Sequence, residues 1–241
     1  MLDVQYQNHN QTFSLTHALL FYQDQSQKTL ATLHEVRHKQ LLQGKAINVV
    51  ELDDLFHSPG QRIRMRLIPS QVIACSRTGV LWFERSRIRP IYFNVPESEP
   101  KRRFLNQISG QNVVWPNLLF KISRKEIYCW AVKSSARPGL DTKLCRAPFT
   151  NIFIDNKVCL PNGIPNNPED DIVEYAGKAL NVIFRGHFSH LYGEQVKRIG
   201  YYHGLDRFWE NMAKQTAKKK IKTFPAKQLI PTALDIRSIL S

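Results

Sequence analysis

Cys159 is the side chain whose type and setting best suit covalent chemistry. A thiolate is both a strong nucleophile and a good leaving group. The residue follows a short apolar run, Ile152 to Ile154, and a turn signal, Asp155-Asn156. It precedes a loop, Leu160 to Pro165, rich in Pro, Asn and Gly. Asp and Asn suit such turns because their side chains bond the local backbone. Cys159 thus stands where extended chain gives way to irregular backbone, the usual place for a working side chain on a rigid scaffold. Two readings stand: a nucleophile, or a small buried hydrophobe. Lys157, two residues away, shares the face of Cys159 on an extended strand and would favour the thiolate modestly. Cys129, beside Trp130, and Cys75, after Val72-Ile73-Ala74, read as core. With Cys145 they form no CxxC pair and no regular His/Cys spacing, which argues against structural zinc and against a disulfide framework.

The remaining polar groups suggest binding. Arg62, Arg64 and Arg66 alternate with apolar residues, and Arg85, Arg87 and Arg89 repeat the spacing. On strands each set forms a guanidinium ladder, either a phosphate-binding surface for nucleic acid or a solvated sheet face. Lys214 and Lys218-Lys219-Lys220 end an amphipathic helix. They suit its negative end, or a docking patch for an acidic partner. His187 and His190 have metal-ligand spacing only if helical, and no third ligand is evident. With His203 they read as structural or surface histidines.

The elements that position these groups follow from periodicity. Strands are expected over 11–23, 30–38, 71–76 and 80–85, and a short helix over 47–57. Pro96 to Arg103 is polar, charged and proline-punctuated, and marks a boundary. A short helix through Phe104 and Leu105 ends at Gly110. Leu118–Ile122 and Ile127–Val132 flank the charged turn Ser123–Glu126 as a hairpin. Residues 142–148 add an extended piece before the Asn151–Cys159 segment. Asn167-Pro168 reads as the start of a helix continuing through Phe184, with Glu169, Asp170 and Asp171 complementing its positive end. That acidic start is expected near Cys159. Leu205, Phe208, Trp209 and Met212 mark another helix, and an extended stretch with a short helix closes the chain.

Asn151, seven intervening residues and then Cys159-Leu160 resemble the active-site segment of ubiquitin-conjugating enzymes. Phe149-Thr150-Asn151 stands where that family has His-Pro-Asn. A wider set of blocks occurs in order: Leu67-Ile68-Pro69, Val80–Phe83, Trp115–Phe120, Tyr128–Val132, Arg137-Pro138, Thr142–Leu144, Ala147–Phe149 and Val158–Leu160. These resemble prokaryotic family D of the ubiquitin-conjugating-enzyme-like proteins, the family of PRTRC system protein B. The resemblance implies a bacterial, plasmid-associated setting. It implies a transferase in which Cys159 carries a ubiquitin-like C-terminus as a thioester and Asn151 supports the oxyanion or the active-site loop. It also implies cassette neighbours: a ubiquitin-like protein, a ThiF-type activating enzyme, a JAB-type peptidase and a ParB-like protein. A catalytically inactive binding or scaffold protein, and a basic nucleic-acid-binding protein, are the alternatives.

Totals set the frame. With 241 residues and 42% hydrophobic content the chain suits one large domain or two small ones. No run approaches the roughly 18 apolar residues of a membrane span, and no signal peptide is apparent, so a cytoplasmic location without membrane partners is expected. The net charge of +14 is spread over both halves and attracts anions. The expected architecture is α+β: a β-rich module over residues 1–96, then a ubiquitin-conjugating-like domain over 97–241, built as an antiparallel β-meander with packed helices. No cofactor or metal is called for.

Overall fold

The computed structural model describes residues 5–8, 11–48, 51–52, 67–160, 163–164, 170–189 and 197–240. The expected helix over 47–57 and the Arg62–Arg66 ladder fall almost wholly outside them. The chain divides into two compact units, 1–66 and 67–241.

Strands joined by short turns make up most of the first unit where described, with residues 51–52 helical. β1 (Gln5–Asn8) and β2 (Gln11–Ser14) pair antiparallel. β3 (His17–Gln23) pairs with β4 (Thr29–Arg37), which also meets β5 (Gln40–Leu41) and β6 (Lys45–Ile47). Between β3 and β4 the Asp24 carboxylate accepts the N–H groups of Ser26 and Lys28, the local bonding that makes Asp a turn former.

The second unit is built on one antiparallel sheet. Its strands are β7 (Val72–Cys75), β8 (Gly79–Glu84), β12 (Asn117–Ser123), β13 (Ile127–Val132), β14 (Lys143–Arg146) and β16 (Pro231–Asp235). Their order is β16-β14-β13-β12-β8-β7. Strands β12, β13 and β14 form the expected meander, with Leu119 opposite Trp130 and Ala131 opposite Cys145. Alternation sorts the side chains onto two buried faces. Val80, Leu118, Phe120, Ile122, Cys129 and Ala131 enter the larger core. Leu81, Phe83, Leu119, Trp130 and Val132 enter a smaller one, closed by Ile236 and Ile239 of helix α3 (Ile236–Leu240).

Helix α1 (Ile172–Arg185) covers the larger face against β8 and β12, and Phe184 meets Phe120 edge-on at 5.9 Å. Helix α2 (Gly204–Ala217) packs beside the 3-10 helix Pro100–Ile108 and β11 (Asn112–Val114), which pairs with β9 (Ile88–Pro90). Strand β10 (Tyr92–Phe93) runs parallel to β15 (His187–Phe188).

Three sequence expectations are corrected. The division falls at 66/67 rather than at 96/97: β7 and β8 complete the six-stranded sheet. The segment after Pro96, polar as it is, buries Leu105 and Ile108, while Arg102 bridges Glu99 and Asp206. Helix α1 begins later than Asn167. Its N-cap is Asp171, which accepts the Val173 and Glu174 N–H groups in a capping box with Glu174; Asn167 itself lies outside the described residues. Cys75, expected in the core, is exposed at the end of edge strand β7.

Candidate active site

The segment from Asn151 to Cys159 is a hairpin, and this gives the spacing its physical meaning. Asn156, at φ +72°, makes the reversal, and Asp155 Oδ1 accepts the Lys157 N–H at 3.0 Å. The Phe153 N–H donates to the Lys157 carbonyl at 2.8 Å, Ile152 bridges Val158, and the Cys159 N–H donates to the Asn151 carbonyl at 2.9 Å. Seven intervening residues therefore set Asn151 and Cys159 directly across from one another. The returning arm is sewn to β13: Val158 N–H donates to the Ile127 carbonyl at 2.7 Å and Cys129 N–H to the Asn156 carbonyl at 2.9 Å. Arg198, buried at 3% exposure, donates to the Ile152 carbonyl, and Trp209 Nε1–H donates to the Pro148 carbonyl at 2.8 Å.

The Asn151 side chain extends this clamp to a distant strand. Its Nδ2 donates to the His187 carbonyl at 2.8 Å and its Oδ1 accepts the Ser189 N–H at 3.0 Å. The amide thus pairs with the backbone on both sides of Phe188 as a neighbouring strand would. Thr150 Oγ1 also donates to Oδ1, at 3.4 Å. Asn151 is 8% exposed, so these bonds are made in surroundings where leaving them unmade is costly. Phe188 anchors the other side, stacked on Phe149 at 5.0 Å.

Cys159 is half-buried. With Asn151 it lines a cleft of about 590 Å³ whose other walls include Asn94, Asn181, Arg185, His187 and Ser189. Cys129 and Cys145 are buried in the cores, where loss of hydration pushes both thiols up. No disulfide links the four cysteines. The site is therefore a thiol on a pinned turn, facing a cleft large enough for a peptide terminus.

The structure moves several groups expected near the thiol. Lys157 points its ammonium at Glu126 Oε1, 2.8 Å away, while Tyr128 O–H donates to Glu126 Oε2 at 2.7 Å. Hydrogen bonds from Lys157 and Tyr128 lower the Glu126 carboxyl below its ordinary range, and the same pairing raises Lys157. Lys157 is thus engaged away from Cys159 and is not part of the cleft wall. Of the acidic start of α1, Asp170 is buried against Lys178 at 2.7 Å and Asp171 caps the helix, while Glu169 lies outside the described residues. It is the opposite end of that helix, with Asn181 and Arg185, that lines the cleft.

The binding surfaces fare differently. Arg85 is exposed in the loop after β8, whereas Arg87 and Arg89 both converge on Glu84, itself 6% exposed. The Arg89 guanidinium also lies 3.8 Å from the centre of the Phe184 ring. These arginines do not form a ladder, because two of them neutralise one buried carboxylate. Lys214 pairs with Glu210 at 2.7 Å, and Lys218, Lys219 and Lys220 are exposed beyond the end of α2.

Sequence reasoning passed over His187, Ser189 and Arg185 as parts of the site. His187 lies in a strand rather than a helix, which removes the HxxH geometry; His190 is outside the described residues. The available signal was the pair His187-Phe188 after the helix-ending Gly186. Alternation sends Phe188 into the core and His187 outward, but nothing local shows that Asn151 holds the strand.

No curated protein and no solved structure matches the chain. A family model described as prokaryotic E2 family D matches residues 48–232. That span takes in the whole meander, the Asn151–Cys159 hairpin and both helices of the larger core. The sheet, the packed helices and this match agree in one assignment: the chain belongs to prokaryotic E2 family D, the ubiquitin-conjugation-related proteins with an E2-like fold.

Proposed function

We propose that this protein is the thioester-carrying component of a bacterial ubiquitin-like modification cassette. The Cys159 thiolate attacks the thioester that a ThiF-type activating enzyme holds to the C-terminus of a ubiquitin-like protein. A new C–S bond forms on Cys159, the old one breaks, and the departing thiolate of the activating enzyme takes up a proton. The loaded terminus then passes to an amine. Asn151 acts chiefly as a positioning residue, since its amide is committed to the backbone at 187 and 189. The exposed lysines 218–220 supply a docking patch for an acidic partner.

The observation that carries this reading is the placement of Cys159, half-buried on a clamped hairpin at the wall of a cleft. A second reading, a binding or scaffold protein of the same cassette, is favoured by the commitment of the Asn151 amide, which turns it away from an oxyanion role. Incubation with the activating enzyme, the ubiquitin-like protein and ATP separates them. The first reading gives a reductant-sensitive adduct that is absent in Cys159→Ala; the second gives a complex without an adduct.

A further inference from the structure

We infer that His187 is the proton acceptor for the nucleophile that discharges Cys159. The inference rests on the carrier role proposed above and adds a catalytic residue to it.

His187 and Cys159 come from separate elements, β15 and the 151–159 hairpin, yet line the same cleft of about 590 Å³. Their neighbours Phe188 and Val158 pack on the core at the floor of the same cleft, Phe188 buried and stacked on Phe149, while His187 is exposed and Cys159 half-buried. The two are held in fixed relation by one residue. Asn151 receives the Cys159 N–H on its carbonyl at 2.9 Å and donates its Nδ2–H to the His187 carbonyl at 2.8 Å. Across the parallel β10–β15 pair, the Tyr92 ring lies 5.7 Å from the imidazole and limits its swing. The imidazole is solvent-accessible and can pass a proton on to water.

A neutral amine attacks the thioester carbonyl, its N–C bond forms, and the C–S bond to Cys159 breaks with the electron pair leaving on sulfur. The surplus proton on nitrogen moves to the free ring nitrogen of His187, and from there to the thiolate or to solvent. A base suits this step because attack turns a weakly acidic amine into a strongly acidic ammonium.

The test separates loading from discharge. In a Cys75→Ser background, Cys159 is charged from a short peptide carrying a C-terminal glycyl thioester of mercaptoethanesulfonate, and the charged protein is then mixed with free lysine. Thioester and amide products are read by mass. His187→Gln is expected to load like the parent and to form the lysine amide at least about tenfold more slowly. His187→Ala is expected to behave likewise and to regain amide formation when imidazole is added, a recovery that a merely structural role would not show. Unchanged amide formation in His187→Gln, or loss in His187→Ala that imidazole leaves untouched, overturns the inference while leaving the carrier role standing. Failure of the parent to load at all overturns both.

Discussion

Asn151 and Cys159 face each other across the mouth of a hairpin, joined by a 2.9 Å hydrogen bond from the Cys159 N–H to the Asn151 carbonyl. The same asparagine reaches residues 187 and 189 through its side chain. One residue therefore sets where the thiol stands relative to the far wall of its cleft.

Asn151→Ala keeps the main-chain bond and removes the side-chain bonds to His187 and Ser189. At about 1 kcal/mol for each lost bond, more if the Ser189 N–H is left unsatisfied, the expected loss of stability is about 2–3 kcal/mol. Urea denaturation of the variant checks this. Loading of Cys159 should fall less than subsequent transfer, because the thiol stays on its hairpin while the 187–189 strand loses its tether.

Brief alkylation of the native protein followed by mass mapping should label Cys75 and Cys159. Cys129 and Cys145 should be labelled only after unfolding, since both are buried in the cores and their thiols are pushed up by burial. Protection of Cys159 comparable to that of Cys129 would contradict its place on the cleft wall.

Glu84 pairs with both Arg87 and the largely buried Arg89. Glu84→Ala leaves the Arg89 guanidinium packed on Phe184 without its carboxylate. Breaking such a pair from one side typically costs about 3–5 kcal/mol. The variant should unfold at clearly lower urea, and Glu84→Gln should recover part of the loss by keeping a hydrogen-bond acceptor.

Asp235 holds the junction between β16 and α3. Its carboxyl is lowered from 3.8 to about 2, first by the hydrogen bond from Lys143 and then by the Ser238 N–H. The sign follows from linkage. A folded-state value below the unfolded one gives a contribution present above about 4 and lost as pH falls toward 2. Amide exchange at Arg237, whose N–H donates to the Leu140 carbonyl, should therefore show opening of this end through that window. Asp235→Asn should remove that part of the acid response.

Local chemistry explains why much of the fold was legible. The 117–132 hairpin announces itself by two apolar runs around a charged turn, and the Asp155-Asn156 reversal by its residue types. Asp171, by contrast, was masked by the attractive Asn167-Pro168 pair, although Asp171-x-x-Glu174 carries its own capping-box signature. The Pro96–Arg103 stretch misled because Glu97, Lys101 and Arg103 are exposed while Arg102 alone ties it down, through Glu99 and Asp206. The wall of the cleft opposite Cys159 was illegible for a different reason. It depends on a side-chain bond between residues 36 positions apart, which no local pattern encodes.

The most direct measurement is a non-reducing gel of the protein incubated with its activating enzyme, the ubiquitin-like protein and ATP. The account predicts a band shifted by one ubiquitin-like protein, collapsed by thiol reductant and absent in a folded Cys159→Ala variant. An activating enzyme shown to be charged, alongside no such band, or a band that persists in Cys159→Ala, would contradict it.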